Sequence, residues 1–326
     1  MKKVFITGGA GYVGSRLVPK LLSLGCEVTV FDLMIYGDNV LKDHPKLQKI
    51  KGDIRNTELL KIFLPGHDVV IHLACISNDP SFELNPTLGK SINFDAFEPM
   101  VKLCVQNKIT RFIYASSSSV YGIKKEKDVT EDMSLEPLTD YSKFKGDCEK
   151  VLNNYSTEDF ITTTIRPSTV CGYAKRQRLD LVVNILTNHA YHKREIKVFG
   201  GEQLRPNIHI DDMVDSYLAI LRADPKKVNN QIFNVGFKNQ SVNELADDVK
   251  AVIGDDIKII NLKSEDSRSY HVSSQKIKDI LGFETKYTIR DAISDLKISF
   301  EKKLLLNTFD NDFFFNIKRM NSINLK

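Results

Sequence analysis

Residues 7–14 read TGGAGYVG, set between the apolar run VFITG and a segment patterned as a helix. Gly8, Gly11 and Gly14 stand three apart. The first permits a tight turn, and the second lets backbone come against a pyrophosphate. The third allows close packing of helix on sheet, while the helix N-terminus offers amides and a positive dipole end. A turn of this kind commits the chain around it to strand–turn–helix–strand units. The β-rich runs follow that rhythm at 4–8, 27–32, 47–53, 68–74, 111–117 and 161–167, with helical segments such as 12–24 and 141–155 between them. Several runs are continuous in Val, Ile and Phe rather than alternating, the pattern of parallel strands buried on both faces. The fold class expected is α/β, a doubly wound parallel sheet.

After about residue 170 the rhythm loosens. A helix at 179–192, a strand at 196–200 and a loop, GGEQLRPNIHI, precede a helix at 211–223 and a buried strand at 231–236. The remainder reads as mostly helical. Residues 1–170 are therefore expected to form the dinucleotide-binding domain, with 207–236 returning to it. Residues 171–206 and 237–326 would form a smaller, mostly C-terminal substrate domain. Pro99 falls inside the helical stretch 86–108 and should kink or split it, since proline lacks the amide and clashes with the preceding turn.

Asp32 ends the second strand, where a carboxylate accepts hydrogen bonds from the adenosine ribose hydroxyls. It would repel the 2′-phosphate of NADP, and Leu33, Met34 and Ile35 bring no arginine to hold one, so NAD is expected. Asp53, in KGDIRN, reads equally as a contact for the adenine amine or as a cap for the next helix. Leu73 and Ala74 end the fourth strand at the same sheet edge. Further along, SSSSVYG (116–122) ends a strand and YSKFK (141–145) opens a helix. Tyr141 and Lys145 are four apart and share a helix face. An ammonium nearby lowers a phenol from its usual pKa near 10, so Tyr141 is expected to accept a proton near neutrality. The Ser117 hydroxyl would place the substrate oxygen.

Net charge is only +4, charged residues make up 27%, and Trp is absent. No basic stripe forms, so no nucleic-acid partner is expected. Glycines cut the first apolar run too early for a signal-peptide core, and no apolar stretch is long enough to span a membrane. The five cysteines, Cys26, Cys75, Cys104, Cys148 and Cys171, lie far apart without metal-ligand spacing. They read as reduced, buried thiols of a cytoplasmic protein.

In TGGAGYVG, GDIRN, HLA, SINFDAF, SSSSVYG, YSKFK, RPSTVCG and RPNIHIDD, the chain resembles the extended short-chain dehydrogenase/reductases, specifically their nucleotide-sugar epimerase/dehydratase branch. The resemblance implies a Rossmann-type fold, an NAD cofactor, a nucleotide-diphosphate sugar substrate and a homodimer through helices near 94–107 and 141–155. It makes Ser117, Tyr141 and Lys145 the catalytic triad, with Lys145 also on the nicotinamide ribose. Gly8, Gly11, Tyr12, Val13, Asp32, Asp53, Ile54, Leu73, Asn93 and Ser168 fall where the family holds NAD, alongside Gly14 and Ala74. Dehydratase members carry an acid and a base where this chain has Ser118 and Ser119, and a hydroxyl is too weak for that step. Oxidation at C4 is the reaction expected. Release of the ketone gives a 4-dehydrogenase, and rotation and reduction on the other face gives a 4-epimerase. A dinucleotide-sensing protein without turnover is the third reading. ISNDPSFELNP (76–86) and FFNIKRMNS (314–322) resemble a branch that includes a GDP-heptose 4-dehydrogenase, which favours the first. Thr169 stands where many members hold the nucleotide diphosphate through asparagine. Arg205 and Arg268 resemble the family's diphosphate-binding arginines, against a reading as surface ion pairs. The cluster Lys175, Arg176 and Arg178 is a solvated face or a phosphate clamp, and the former is expected. Asp211 and Asp212 are expected to cap the helix they open, and His209 to be structural.

Overall fold

The computed structural model of the chain describes residues 2–126, 128–263, 269 and 271–326. Six strands form at the apolar runs of the first half: β1 (Lys3–Thr7), β2 (Glu27–Asp32), β3 (Leu47–Lys51), β4 (Val69–His72), β5 (Arg111–Ala115) and β6 (Ile161–Pro167). Then come β7 (Thr169–Cys171), β8 (Glu195–Phe199), β9 (Leu204–His209), β10 (Gln231–Val235), β11 (Lys238–Ser241) and β12 (Lys258–Leu262). Seven strands make one parallel sheet in the order β10-β6-β5-β4-β1-β2-β3. The sheet grows in opposite directions from β1, so a crevice opens at the carboxyl ends of β1 and β4.

Successive side chains of these strands point to opposite faces, and both faces are covered. Val4 and Ile6 enter a core shared with Leu17, Leu21, Met213 and Tyr217, from the helices Gly14–Ser23 and Ile210–Arg222. Phe5 enters the opposite core with Phe97, Met100 and Leu152, from the helices Phe97–Gln106 and Asp140–Asn153. Burying each such side chain contributes roughly 1.5–3 kcal/mol. A third cluster lies apart from the sheet, where Val183, Leu245 and Ile293 join the helices Val182–Lys193, Val242–Ile253 and Ile289–Glu301.

Three expectations are corrected. GGEQLRPNIHI is not all loop. It contains β9, which runs parallel to β7 and antiparallel to β11. The chain beyond 237 is not simply helical either, since β12 pairs with β8. In both cases long-range pairing selects a strand that local periodicity leaves open. The stretch 86–108 splits at a π-helical turn, Ser91–Asp95, upstream of Pro99. Pro99 itself sits in the first turn of the helix Phe97–Gln106, where its missing amide costs no ladder bond.

All five cysteines are free; Cys75 is half-buried and the other four are buried. Among the described residues no helix is long and apolar enough to cross a membrane.

Candidate active site

The crevice is a cavity of about 440 Å³, within the range of small-molecule sites. At one end stands the glycine turn. Gly8 has φ +71°, and a Cβ there would lie 2.6 Å from the Ala74 nitrogen. A Cβ on Gly14 would lie 2.4 Å from the Gly9 carbonyl oxygen, so helix and turn meet too closely for any side chain. Gly11, which also lines the cavity, would bring such an atom 3.1 Å from the Gly8 carbonyl oxygen. Tyr12 anchors the turn: its hydroxyl donates to the Gly172 carbonyl at 2.5 Å and accepts from Asn184 Nδ2 at 3.0 Å.

Asp32 accepts the backbone amides of Ala10 at 3.0 Å and Met34 at 2.8 Å. Burial pushes its carboxyl above the ordinary range, against the pull of those amides. Val13, Ile54, Leu73 and Ala74 line the same end. Asp53 lines it too, paired with Arg55 at 2.6 Å. Asp53 does not cap the next helix, because Asn56 does so by accepting the Leu59 amide at 3.0 Å. Asn93 stands behind the cavity wall. Its amide bonds the Ile76 backbone in both directions, at 2.8 and 2.9 Å, and fixes the segment after β4.

At the other end, Ser117, Ser118 and Ser119 follow β5, and Tyr141 and Lys145 project from the helix Asp140–Asn153. A capping box between Thr139 and Ser142 sets the start of that helix. Ser117 Oγ accepts the Ser119 amide at 3.1 Å and lies 2.8 Å from Ser119 Oγ. Lys145 Nζ donates to the Ala115 carbonyl at 2.6 Å and lies over the rings of Tyr114 and Tyr141, at 5.1 and 5.9 Å. The expected lowering of the Tyr141 pKa is not what this arrangement produces. Burial raises the phenol, the charges of Cys75 and Asp79 push the same way, and an Asn78 backbone contact and Arg178 oppose them. The ammonium is directed at the Ala115 carbonyl.

Glu149, missed in the sequence, lies beneath the serines. Its carboxylate accepts the Ser116 hydroxyl and a two-pronged grip from Arg166, Nε at 3.0 Å and Nη2 at 2.7 Å. Arg166 Nη1 continues to the Tyr121 hydroxyl at 2.6 Å, which donates to Asn234 Oδ1 at 2.8 Å. The signal was present: Tyr141, Lys145 and Glu149 recur every four residues on one helix face.

The cluster expected to be a solvated face is mostly internal. Lys175 is exposed, but Arg176 and Arg178 are buried and line the cavity, with Asn316 and Met320 from the helix Asn316–Ser322. Thr169, Ser168 and Arg205 line it as well; Arg268 lies outside the described residues. The acidic pair does not cap its helix. His209 does, accepting the Asp211 amide at 3.1 Å. Asp211 instead pairs with Arg16 at 2.6 Å, and Asp212 accepts the amides of Lys286 and Tyr287.

The residues present fit a dinucleotide. The glycine cradle fits the backbone approach of a pyrophosphate. Among the described residues, the buried atoms Ser168 Oγ, Arg176 Nε and Arg178 Nη2 have no hydrogen-bond partner, and all three residues face the cavity.

Comparison with known proteins agrees. Residues 4–236 match the NAD dependent epimerase/dehydratase family. A UDP-glucose 4-epimerase of Lactobacillus helveticus is 27% identical over 306 residues, covering 87% of this chain and 92% of the relative. The UDP-glucose 4-epimerase of Thermotoga maritima, solved with UDP-glucose, superposes with a TM-score of 0.85 at 24% identity, over 93% of this chain and 100% of the other. MoeE5, solved with UDP-glucuronic acid and NAD, superposes with a TM-score of 0.81 at 26% identity, over 92% and 99%.

Proposed function

The chain belongs to the NAD-dependent epimerase/dehydratase family, and we propose that within it the protein oxidises C4 of a nucleotide-diphosphate sugar. The observation that carries this reading is the convergence of Ser117, Tyr141 and Lys145 on one end of a cleft whose other end holds the glycine turn and Asp32. NAD, when bound, supplies the acceptor for the C4 hydride. Tyr141, whose phenol the positive charge of the nicotinamide ring would bring down when NAD is bound, would take the proton of the C4 hydroxyl as the C4 hydride leaves, giving a ketone. The Ser117 hydroxyl donates to the sugar oxygen and orients it, while Lys145 holds positive charge beside the Tyr141 ring and is placed for the nicotinamide ribose. Gly8, Gly11, Tyr12, Val13, Gly14, Asp32, Asp53, Ile54, Leu73, Ala74 and Ser168 form the cofactor's walls; Asn93 acts through Ile76 as a positioning residue. Ser118, Thr169 and Arg205 are assigned to the sugar nucleotide.

Elimination of water lacks an acid and a base at Ser118 and Ser119. Asp79, the carboxylate acting on Tyr141, is engaged by the Thr139 hydroxyl at 2.5 Å. Two fates remain for the ketone. Release makes the protein a 4-dehydrogenase, with a GDP-heptose as the first substrate to try. Reduction on the opposite face makes it a 4-epimerase, a reading supported by relatives that bear that name.

The deciding experiment incubates the protein with NAD and UDP-, GDP- and dTDP-sugars, heptoses included, and follows products by mass spectrometry and NMR. Loss of H2 with formation of NADH identifies the dehydrogenase, and a new stereoisomer of unchanged mass identifies the epimerase. Loss of water, or no turnover of any sugar, contradicts the proposal; the latter favours a dinucleotide sensor. The same reading includes a homodimer through the helices Phe97–Gln106 and Asp140–Asn153, and a monomeric mass at micromolar concentration would refute it.

A further inference from the structure

The loop 172–181 and the helix Asn316–Ser322 meet over the cofactor end of the cleft, and the reaction above makes no use of the two arginines they hold. Arg176 and Arg178 are 4% and 8% exposed. Arg178 has a counter-charge: its Nε meets Asp180 Oδ1 at 2.8 Å, and its Nη1 donates to Ser77 Oγ at 3.0 Å. Among the described residues the hydrogen-bond partners of Arg176 are neutral, the Gln177 carbonyl at 3.4 Å from Nη1 among them. Its Nη2 donates to Asn316 Oδ1 at 2.5 Å, and its guanidinium lies 3.6 Å over the Tyr36 ring.

Asn316 holds this hub in one arrangement. Its Oδ1 also accepts the Tyr36 hydroxyl at 2.8 Å, its Nδ2 donates to Ser77 Oγ at 3.0 Å, and its backbone amide donates to Asp180 Oδ2 at 3.0 Å. With every group engaged, the amide cannot turn to serve Arg176 further. Arg176 Nε and Arg178 Nη2 are thereby left open in a buried setting. Asp180 and Asp32 act on Arg176 through space, but the oxygens of Asp180 already serve Arg178 and the Asn316 amide, and those of Asp32 serve Ala10 and Met34. A buried cation with an open N–H is costly until an anion meets it, and a guanidinium fork suits phosphate oxygens.

Position selects the phosphate. The Arg176 backbone amide donates to Ser15 Oγ at 3.3 Å, on the helix that the glycine turn opens. Tyr36 follows β2, the strand that ends in Asp32. Both anchors belong to the dinucleotide half of the cleft.

We propose that Arg176 and Arg178 close over the cofactor's pyrophosphate from the side opposite the glycine turn, and that the loop 172–181 with the Asn316 helix retains the dinucleotide between turnovers. The proposal rests on the dinucleotide reading of the cleft, and on neither the identity of the sugar nor the fate of its ketone. The glycine turn supplies amides and the helix dipole, and the arginines supply charge.

The test measures NADH binding by fluorescence, with UDP binding by calorimetry in parallel, on the wild type, Arg176→Gln, Arg176→Lys, Arg178→Gln and Lys175→Gln. Arg176→Gln and Arg178→Gln should each weaken NADH by roughly 10- to 100-fold, the worth of a charge-assisted hydrogen bond, and speed its release. Arg176→Lys should recover part of the loss, and Lys175→Gln, on the exposed neighbour, should change nothing. UDP affinity should hold within about twofold, less than a single hydrogen bond is worth. NADH affinity unchanged in both glutamine variants, or a wild type that does not bind NADH, would overturn the clamp. Loss of UDP with NADH intact would assign the arginines to the substrate and overturn it equally. If Arg176→Gln does not fold, Arg178→Gln and Arg176→Lys decide on the same readouts. A chain that binds NADH with these sensitivities yet turns over no sugar would leave the clamp standing and sink the C4 reading.

Discussion

Two buried arginine networks flank the cleft, one beneath the serine strand end and one over the glycine turn, and they are completed to different degrees. Below, Arg166 is answered by Glu149 in a two-pronged pair, and the chain of bonds runs on through Tyr121 to Asn234. Burial alone would lower the Arg166 pKa, but the Glu149 carboxylate more than offsets it and raises it. Above, Arg176 meets Asn316, the Gln177 carbonyl and the Tyr36 ring, with no carboxylate paired to it among the described residues, and burial prevails, lowering its pKa. A network that closes on itself specifies one arrangement of the fold; one left open is completed from outside. The lower network serves the scaffold that places Ser117 and Tyr141, and the upper one serves a ligand.

Substitutions can sharpen or break this contrast. The largest effect is expected between the two networks, at Tyr141. Replacing Tyr141 by Phe should lower sugar oxidation by about 10²- to 10⁴-fold, the range of general base catalysis, while NADH binding stays intact. Turnover at a similar rate would remove the proton acceptor from the account. Next comes Glu149→Gln, which leaves Arg166 buried without its counter-charge. Denaturant unfolding should show a loss of about 3–5 kcal/mol, and a loss under about 1 kcal/mol would mean that the lower network is not structural.

A pH effect follows in size. His72 on β4 is buried beside Phe97 and Tyr114, and its Nδ1 lies 2.7 Å from the Thr7 hydroxyl. Burial pushes its imidazole down from 6.5 to about 3. The folded state thus holds it neutral. Its contribution to stability is complete above pH 6.5 and is lost as pH falls from there toward 3. His72→Asn should flatten the slope of stability against pH in that window by up to about 1.4 kcal/mol per pH unit; identical slopes would contradict the assignment. The smallest effect is the most diagnostic. Arg176→Gln should change the stability of the ligand-free protein by no more than about 1 kcal/mol, because it removes a buried charge that carboxylates reach only through space and none pairs with directly among the described residues. A loss as large as that of Glu149→Gln would erase the contrast.

The turns and strand ends that bound the cleft were more legible in the sequence than either arginine network, for Glu149 of the lower one was missed as well. The turn TGGAGYVG, the continuous apolar runs and the Tyr141–Lys145 spacing are local patterns, and the sheet and the ends of the cleft follow from them. Asp32 was legible for the same reason, as a carboxylate at a strand end. Arg176 and Arg178 were not. In sequence they form a short basic cluster with Lys175, and only packing against Tyr36, Ser77 and Asn316, far along the chain, makes them internal. The strand β9 was hidden likewise, since its partners β7 and β11 are short and say little on their own. The behaviour of Tyr141 was misread because helix spacing brings Lys145 to the same face without directing its ammonium. The Ala115 carbonyl takes that ammonium, and burial sets the phenol.

The account centres on hydride transfer from C4 within this cleft, and isotope tracing tests it most directly. Sugar nucleotides carrying deuterium at C4 would be given to the NAD-loaded wild type and to Tyr141→Phe, and the cofactor and sugar analysed by mass spectrometry. Deuterium appearing in NADH, or returned to C4 of an epimer without exchange with solvent, is the result predicted for the wild type, with none transferred in the Tyr141→Phe protein. Deuterium lost to solvent, or transferred equally well without the Tyr141 hydroxyl, would contradict it.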